Sequence, residues 1–126
     1  MGSGSMSRPP PTLLIVEDDS DLREALVEIL SAEGFTVVAT ANGTEALAWL
    51  ETHPPPALAL LDMWTPRKDG WLLLGILHQR PALADMPVVV ISASEEKHPA
   101  IREVLQKPFD RDVLVACVRR FVHALH

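Results

Sequence analysis

The chain has 126 residues, 48% of them hydrophobic, at a mean hydropathy of +0.15, enough for one domain around one well-supplied core. A net charge of -6 with no basic cluster argues against a nucleic-acid surface in this chain, and the longest apolar stretch, Trp71 to Leu77, falls far short of the roughly 20 residues that span a bilayer. The lone Cys117 excludes an intramolecular disulfide and fits a reducing, cytoplasmic compartment; as a helix residue facing the core it has no need to be a reactive thiol.

Met1 to Met6 reads as an expression scar and Ser7 to Pro11 as a Pro-rich, disordered lead-in without a signal peptide, so the domain is expected over 12–126. Thr12 to Val16 is a short β-rich run. Ser20 to Glu33 follows with Leu22, Ala25, Leu26, Ile29 and Leu30 at helical spacing, and Gly34 ends it as a left-handed cap. Phe35 to Thr40 is a second strand, Asn42-Gly43 a turn, and Thr44 to Thr52 a helix with Ala46, Leu47 and Leu50 on one face. The run His53-Pro54-Pro55-Pro56 breaks it. Ala57 to Leu61 is apolar throughout, as a strand covered on both faces should be. Asp62 to Gly70 then reads as a loop closed by Asp69-Gly70 turn chemistry, and Trp71 to Gln79 as an apolar helix stopped by Pro81. Pro87 to Ile91 is a fourth strand and Arg102 to Gln106 a fifth. Asp110 to Leu125 is a last amphipathic helix with Val113, Leu114, Cys117, Val118 and Phe121 inward. Strands alternating with helices predict an α/β, doubly wound parallel sheet.

Several chemistry-bearing residues fall at the ends of these strands. Glu17, Asp18 and Asp19 follow the first, Asp62 the third, Ser92 the fourth and Lys107 the fifth. In a parallel sheet such positions converge on the carboxyl edge, where ligands bind. Carboxylates gathered in a poorly hydrated cleft call for a cation, and oxygen ligands favour Mg²⁺ or another hard divalent ion such as Mn²⁺. With a carboxylate nucleophile, a hydroxyl and an amine, that set implies phosphoryl chemistry. Taken singly each residue has a plainer reading: the acidic run starts a helix, with Asp19 as its cap, Asp62 opens a turn, and Lys107 is a surface lysine. The five histidines read as solvated residues, Trp49 as helix packing, and Trp71 as a core residue.

LLIVEDDSDLREAL, LLDMWTPRKDGWLLL, PVVVISA and LQKPF, in this order and at compatible offsets, resemble the four signature blocks of the receiver domain of bacterial two-component response regulators, and the resemblance covers Thr12 to Leu125. It implies a flavodoxin-like fold with strand order 2-1-3-4-5. It also implies that Asp62 is phosphorylated from a phosphohistidine of a sensor histidine kinase or a histidine phosphotransfer protein. On the same resemblance Asp18 binds Mg²⁺ directly and Glu17 through water, with Asp62 and the Trp64 backbone carbonyl as further ligands, while the Trp64 side chain lies at the mouth of the site. Lys107 would pair with Asp62 or with a phosphate oxygen, Ser92 would offer its hydroxyl, small Ala93 would let the phosphate approach its amide, and the Lys107-Pro108 bond would be cis. Such a domain is a regulatory phosphoacceptor rather than an enzyme, apart from weak self-phosphorylation from small donors and autodephosphorylation, and it acts on a downstream protein or an output domain.

The sequence departs from the family pattern at three places. Thr65 replaces an apolar residue before the loop proline. Val104 stands where many receivers carry the Tyr or Phe that swings inward with the switch hydroxyl. Only nine residues, Ala93 to Ile101, join the fourth and fifth strands, against at least about 10 to 12 for a crossover that contains a helix. The fourth helix of the family pattern is therefore expected to be short or absent, with an atypical partner surface near the fifth strand. That keeps open a phosphorylation-independent interaction domain of the same fold. A phosphatase of the haloacid dehalogenase type would need a second Asp at 64, which is Trp.

Overall fold

The computed structural model describes residues 10–62, 68–93 and 97–123. The expected lead-in ahead of residue 10, Trp64, Thr65 and the side chain of Trp71 lie outside what it describes. Five parallel strands, β1 (Thr12–Val16), β2 (Thr36–Thr40), β3 (Leu58–Asp62), β4 (Val88–Ser92) and β5 (Glu103–Gln106), form one sheet in the order β2-β1-β3-β4-β5. The helices among the described residues are α1 (Ser20–Ala32), α2 (Gly43–Thr52), α3 (Lys68–Gln79) and α4 (Arg111–His123), with a 3-10 turn at Pro81–Leu83.

Side chains alternate across a strand, so each buried strand feeds two cores. Leu58 and Leu60 of β3 pack with Leu26, Leu30, Leu114 and Val118 under α1 and α4. Ala59 and Leu61 pack with Ala46, Leu50, Leu73, Leu74 and Leu77 under α2 and α3. The helix ends are written in short polar signals. Asp19 caps α1 by accepting from the amides of Asp21 at 2.9 Å and Leu22 at 3.1 Å. At its other end Gly34 takes φ 95°. The amides of Gly34 and Phe35 then return to Ser31 and Leu30, closing a left-handed cap that disfavours a β-carbon.

The structure corrects several local expectations. Asn42 is the N-cap of α2, accepting from the Glu45 amide at 2.9 Å, so the expected turn at Asn42-Gly43 is the start of the helix. The helix α3 begins at Lys68, which takes the Asp69-Gly70 pair into its first turn rather than into a loop. Asp62 and Ser92 are the last residues of β3 and β4, one position further along than the apolar runs suggested. Val113 is 47% exposed and Val122 takes the inward place assigned to it, because the buried stripe of α4 runs through Leu114, Cys117, Val118 and Val122. Nor are all the histidines solvated. His98 is half-buried, its Nδ1 accepting from the Ala100 amide at 3.0 Å, and its ring meets His78 edge-on with centroids 6.1 Å apart. Trp49 packs as expected and stacks on His53 at 4.4 Å.

Among the described residues no helix lies between β4 and β5, as the short connection requires. A turn closed by the Ile101 amide on the His98 carbonyl leads straight into β5, and Ala100, Ile101 and Val104 pack on the core where a crossover helix would lie. No helix among the described residues is long and apolar enough to cross a membrane.

Glu33, just past the end of α1, ties that helix to α4. The Glu33 carboxylate receives Arg119 at 2.6 Å and Arg111 at 2.8 Å, and Arg119 also lies over the Phe35 ring at 5.7 Å. The bond from Arg119 holds the Glu33 carboxyl below the ordinary glutamate value of 4.5. A carboxyl lowered in the folded state stabilises fully above its unfolded value and loses that contribution as pH falls through the folded one. Glu33→Gln should therefore lower Tm at pH 7, and the gap from wild type should close on titration below pH 4.5. Thermal melts between pH 7 and pH 3 check this; a gap that stays constant across the range would show that the charge on Glu33 contributes nothing.

Candidate functional site

Parallel register brings the strand ends to one height. Val16 lies opposite Leu61, Asp62 opposite Ile91, and Ser92 opposite Gln106. Glu17 and Lys107, the residues just past β1 and β5, therefore arrive beside Asp62. The Asp62 side chain is 1% exposed, and the Lys107 ammonium reaches both of its oxygens, at 3.1 and 3.0 Å. The lysine is aimed by its own backbone. Its amide donates to the Ser92 carbonyl at 2.8 Å, and the next peptide bond, Lys107-Pro108, is cis, as the resemblance implied.

Glu17 is the most constrained acid of the group. Its amide donates to the Thr40 carbonyl at 3.0 Å, and Thr40 in turn gives its hydroxyl to the Ile15 carbonyl at 2.7 Å, locking the end of β1 to the end of β2. The residue is 1% exposed, and its Oε2 accepts from the Asp19 amide at 3.0 Å. Among the described residues the buried Oε1 has no hydrogen-bond donor. Burial, with the Asp62 carboxyl beside it and Asp18 adding to the effect, pushes the Glu17 carboxyl up to about 8. The cause is plain: a carboxylate facing carboxylates finds no donor unless one of them carries a proton.

Four of the residues expected in the site, Glu17, Asp62, Ser92 and Lys107, are thus joined through the ends of β1, β3, β4 and β5. Ser92 is 3% exposed. Asp18 sits on the exposed rim beside Glu17, and the Asp19 carboxylate is taken up as the α1 cap. Ala93 follows Ser92 and, with Lys107, opens onto an apolar cleft of about 630 Å³ between α1 and the start of α4, floored by Leu22, Leu26 and Leu114. The Trp64 carbonyl and side chain lie outside the described residues. Arg23, on the second turn of α1, is a residue that the pattern of acids did not reveal: its Nη1 donates to the Glu17 carbonyl at 2.8 Å. The available signal was a basic residue one turn past the N-cap, since helical side chains lean back toward the N-terminus.

Chemically this is a shielded carboxylate held by one ammonium, with a hydroxyl alongside and two further acids above. Among the described residues Lys107 is the ammonium that meets the acidic group of Glu17, Asp18 and Asp62, and the Glu17 Oε1 without a donor marks where positive charge would fit. Oxygen donors in that setting fit a small hard cation. Among the described residues no three acidic, His or Cys side chains are preassembled around one point.

The sequence profile of the response regulator receiver domain matches residues 13–119. The response regulator Rre1 of Synechocystis sp. is 35% identical over 121 residues, 90% of this chain and 52% of that protein. Other curated relatives are longer still, so that the chain spans as little as 24% of them. Among solved structures, a sensor protein from Polaromonas sp. JS666 superposes with a TM-score of 0.81 at 28% identity, covering 94% of this chain and all of that one. The receiver domain of the sensor histidine kinase PA1611 of Pseudomonas aeruginosa, solved with a magnesium ion coordinated in its active site cleft, has a TM-score of 0.79 over 90% of this chain and 98% of its own; at 21% identity it speaks to the fold. Profile, relatives and strand order agree, and the chain belongs to the receiver domain family of two-component response regulators, whose members are regulatory phosphoacceptor domains.

Proposed function

We propose that Asp62 is the phosphoacceptor of this receiver and that Glu17 and Asp18, with Asp62 and the Trp64 carbonyl, hold a divalent cation, Mg²⁺ or Mn²⁺, beside it. The observation that carries this reading is the Asp62 carboxylate, 1% exposed at the end of an apolar strand and gripped through both oxygens by Lys107. A nucleophile so fixed meets an in-line donor without reorganising. An Asp62 oxygen attacks phosphorus, the bond from phosphorus to the donor nitrogen or oxygen breaks, and the donor leaves with the electron pair. The product is an acyl phosphate. Lys107 passes from the carboxylate to a phosphoryl oxygen, and Ser92 and the Ala93 amide serve the others. The cation, when bound, neutralises charge on the transferring group.

The donor is a phosphohistidine on a sensor kinase or phosphotransfer protein, and the apolar cleft next to Lys107 offers such a partner contact area at the same edge. Small donors should phosphorylate the domain weakly, and hydrolysis should reset it. Output passes to a downstream protein or an attached domain, and the single buried thiol suits a cytoplasmic setting. The absence of a helix between β4 and β5 among the described residues, together with Val104, favours one second reading, a domain that binds partners irrespective of phosphorylation.

Incubation with acetyl phosphate and Mg²⁺ should add one phosphoryl group by intact mass, and Asp62→Asn should add none. Equal labelling of the two would sink the assignment; no labelling of either would favour the second reading.

Calorimetry should detect Mg²⁺ at a dissociation constant of millimolar order, and Asp18→Asn should weaken it by roughly 10-fold or more, as loss of a charged ligand does. An unchanged titration would remove Asp18 from the ligand set.

A further inference from the structure

The loop that carries the acidic pair is short and its own charges oppose its shape. Glu17, Asp18, Asp19 and Asp21 follow one another within five positions, and Asp62 lies behind them. Three bonds account for the Glu17 end: its amide on the Thr40 carbonyl, its Oε2 on the Asp19 amide, and its carbonyl on Arg23. The first two are made by main-chain groups or within the loop itself. The third is the only side-chain bond to that carbonyl among the described residues, and its donor is charged, at 2.8 Å. Arg23 is also tied into the helix that follows, since its amide donates to the Asp19 carbonyl at 2.9 Å. One residue therefore grips the loop at both ends, by its main chain at Asp19 and by its guanidinium at Glu17, with Asp18 spanned between them.

We infer that Arg23 is a positioning residue of the cation site, its guanidinium holding the Glu17 carbonyl so that the Asp18 carboxylate is presented to the metal. The inference rests on the cation reading proposed above. Arg23 touches neither the metal nor the phosphoryl group; it fixes the peptide unit from which Asp18 projects.

The sign of the mutational effect separates this role from simple electrostatics. Arg23 is a positive charge close to a cation site, so by Coulomb's law alone its removal makes the site more negative and tightens cation binding. A positioning role predicts the reverse. Groups that orient metal ligands typically cost 10- to 100-fold in affinity when lost, and because the bonds to the Thr40 carbonyl and the Asp19 amide still hold the Glu17 end, Arg23→Gln falls at the lower end, roughly 10-fold.

The test is Mg²⁺ calorimetry on wild type, Arg23→Gln and Arg23→Lys, with thermal melts of each without metal. Arg23 is half-exposed on a helix flank, so the variants should melt within a few degrees of wild type. Arg23→Gln should bind Mg²⁺ about 10-fold more weakly, and Arg23→Lys, which keeps the charge and one donor, should recover most of the loss. Binding by Arg23→Gln that equals or exceeds wild type would overturn the inference and leave the phosphoacceptor reading standing. A wild type that binds no Mg²⁺ would overturn the cation reading and the inference together, while acetyl phosphate labelling would still report on Asp62. A Tm loss in Arg23→Gln with unaltered affinity would show a structural brace only, against the proposal.

Discussion

Everything at the carboxyl edge depends on keeping the Asp62 carboxylate charged where water hardly reaches it. Removing a carboxylate from water costs several kcal/mol even after the protein relaxes, and Lys107 offsets that cost by meeting both oxygens. The ion pair is only as good as its placement, and its placement is a matter of backbone. The lysine amide on the Ser92 carbonyl sets where β5 ends relative to β4, and the register of β3 with β4 sets where Asp62 ends relative to both. The apolar content of β3 and β4, buried on both faces, is thus what holds a polar site in tolerance.

Among the described residues the same edge is left short of positive charge. Lys107 is committed to Asp62, while Glu17 is buried with one oxygen lacking a donor and its carboxyl raised to about 8. A fold optimised for stability alone would place an apolar residue or a hydrogen-bonded acid there. Strain of this electrostatic kind is commonly stored where a charged group is to be received. Asp18 on the rim and Glu17 at the base make the deficit one-sided, open toward solvent and closed toward the core.

Much of this was legible from the chain. Asp19 as a cap, Gly34 as a left-handed terminator, and the all-apolar β3 are local signals, and local geometry decided each of them. The convergence of Asp62, Ser92 and Lys107 followed from strand ends in a parallel sheet, which is a matter of counting. The misreadings share a different cause. Asp69-Gly70 has turn chemistry, yet its backbone joins α3, because tertiary packing of the apolar turns that follow outweighs a propensity of about 1 kcal/mol. Val113 has the right period for an inward face, but the stripe it would join is already filled by Leu114, Cys117 and Val118 on the neighbouring angle. Arg23 was missed because its function is a bond to a carbonyl, and carbonyls leave no mark in a sequence.

The short connection between β4 and β5 has a consequence for how a change at the site could travel. Without a helix there among the described residues, the core beneath is closed by Ala100, Ile101 and Val104, and no aromatic side chain stands at 104 to move between an inward and an outward place. What remains is main-chain coupling and one polar cluster. Ser92 and Lys107 are bonded to each other, so they cannot shift independently. At its other end β5 is fastened to α4 through Glu103, which accepts from the Cys117 thiol at 3.2 Å and from Arg120. Burial, with Glu103 adding to it, pushes that thiol up to about 12, so it stays a neutral donor in this contact. The four residues of β5 thus meet β4 through the Lys107 amide at one end and α4 through the Glu103 carboxylate at the other.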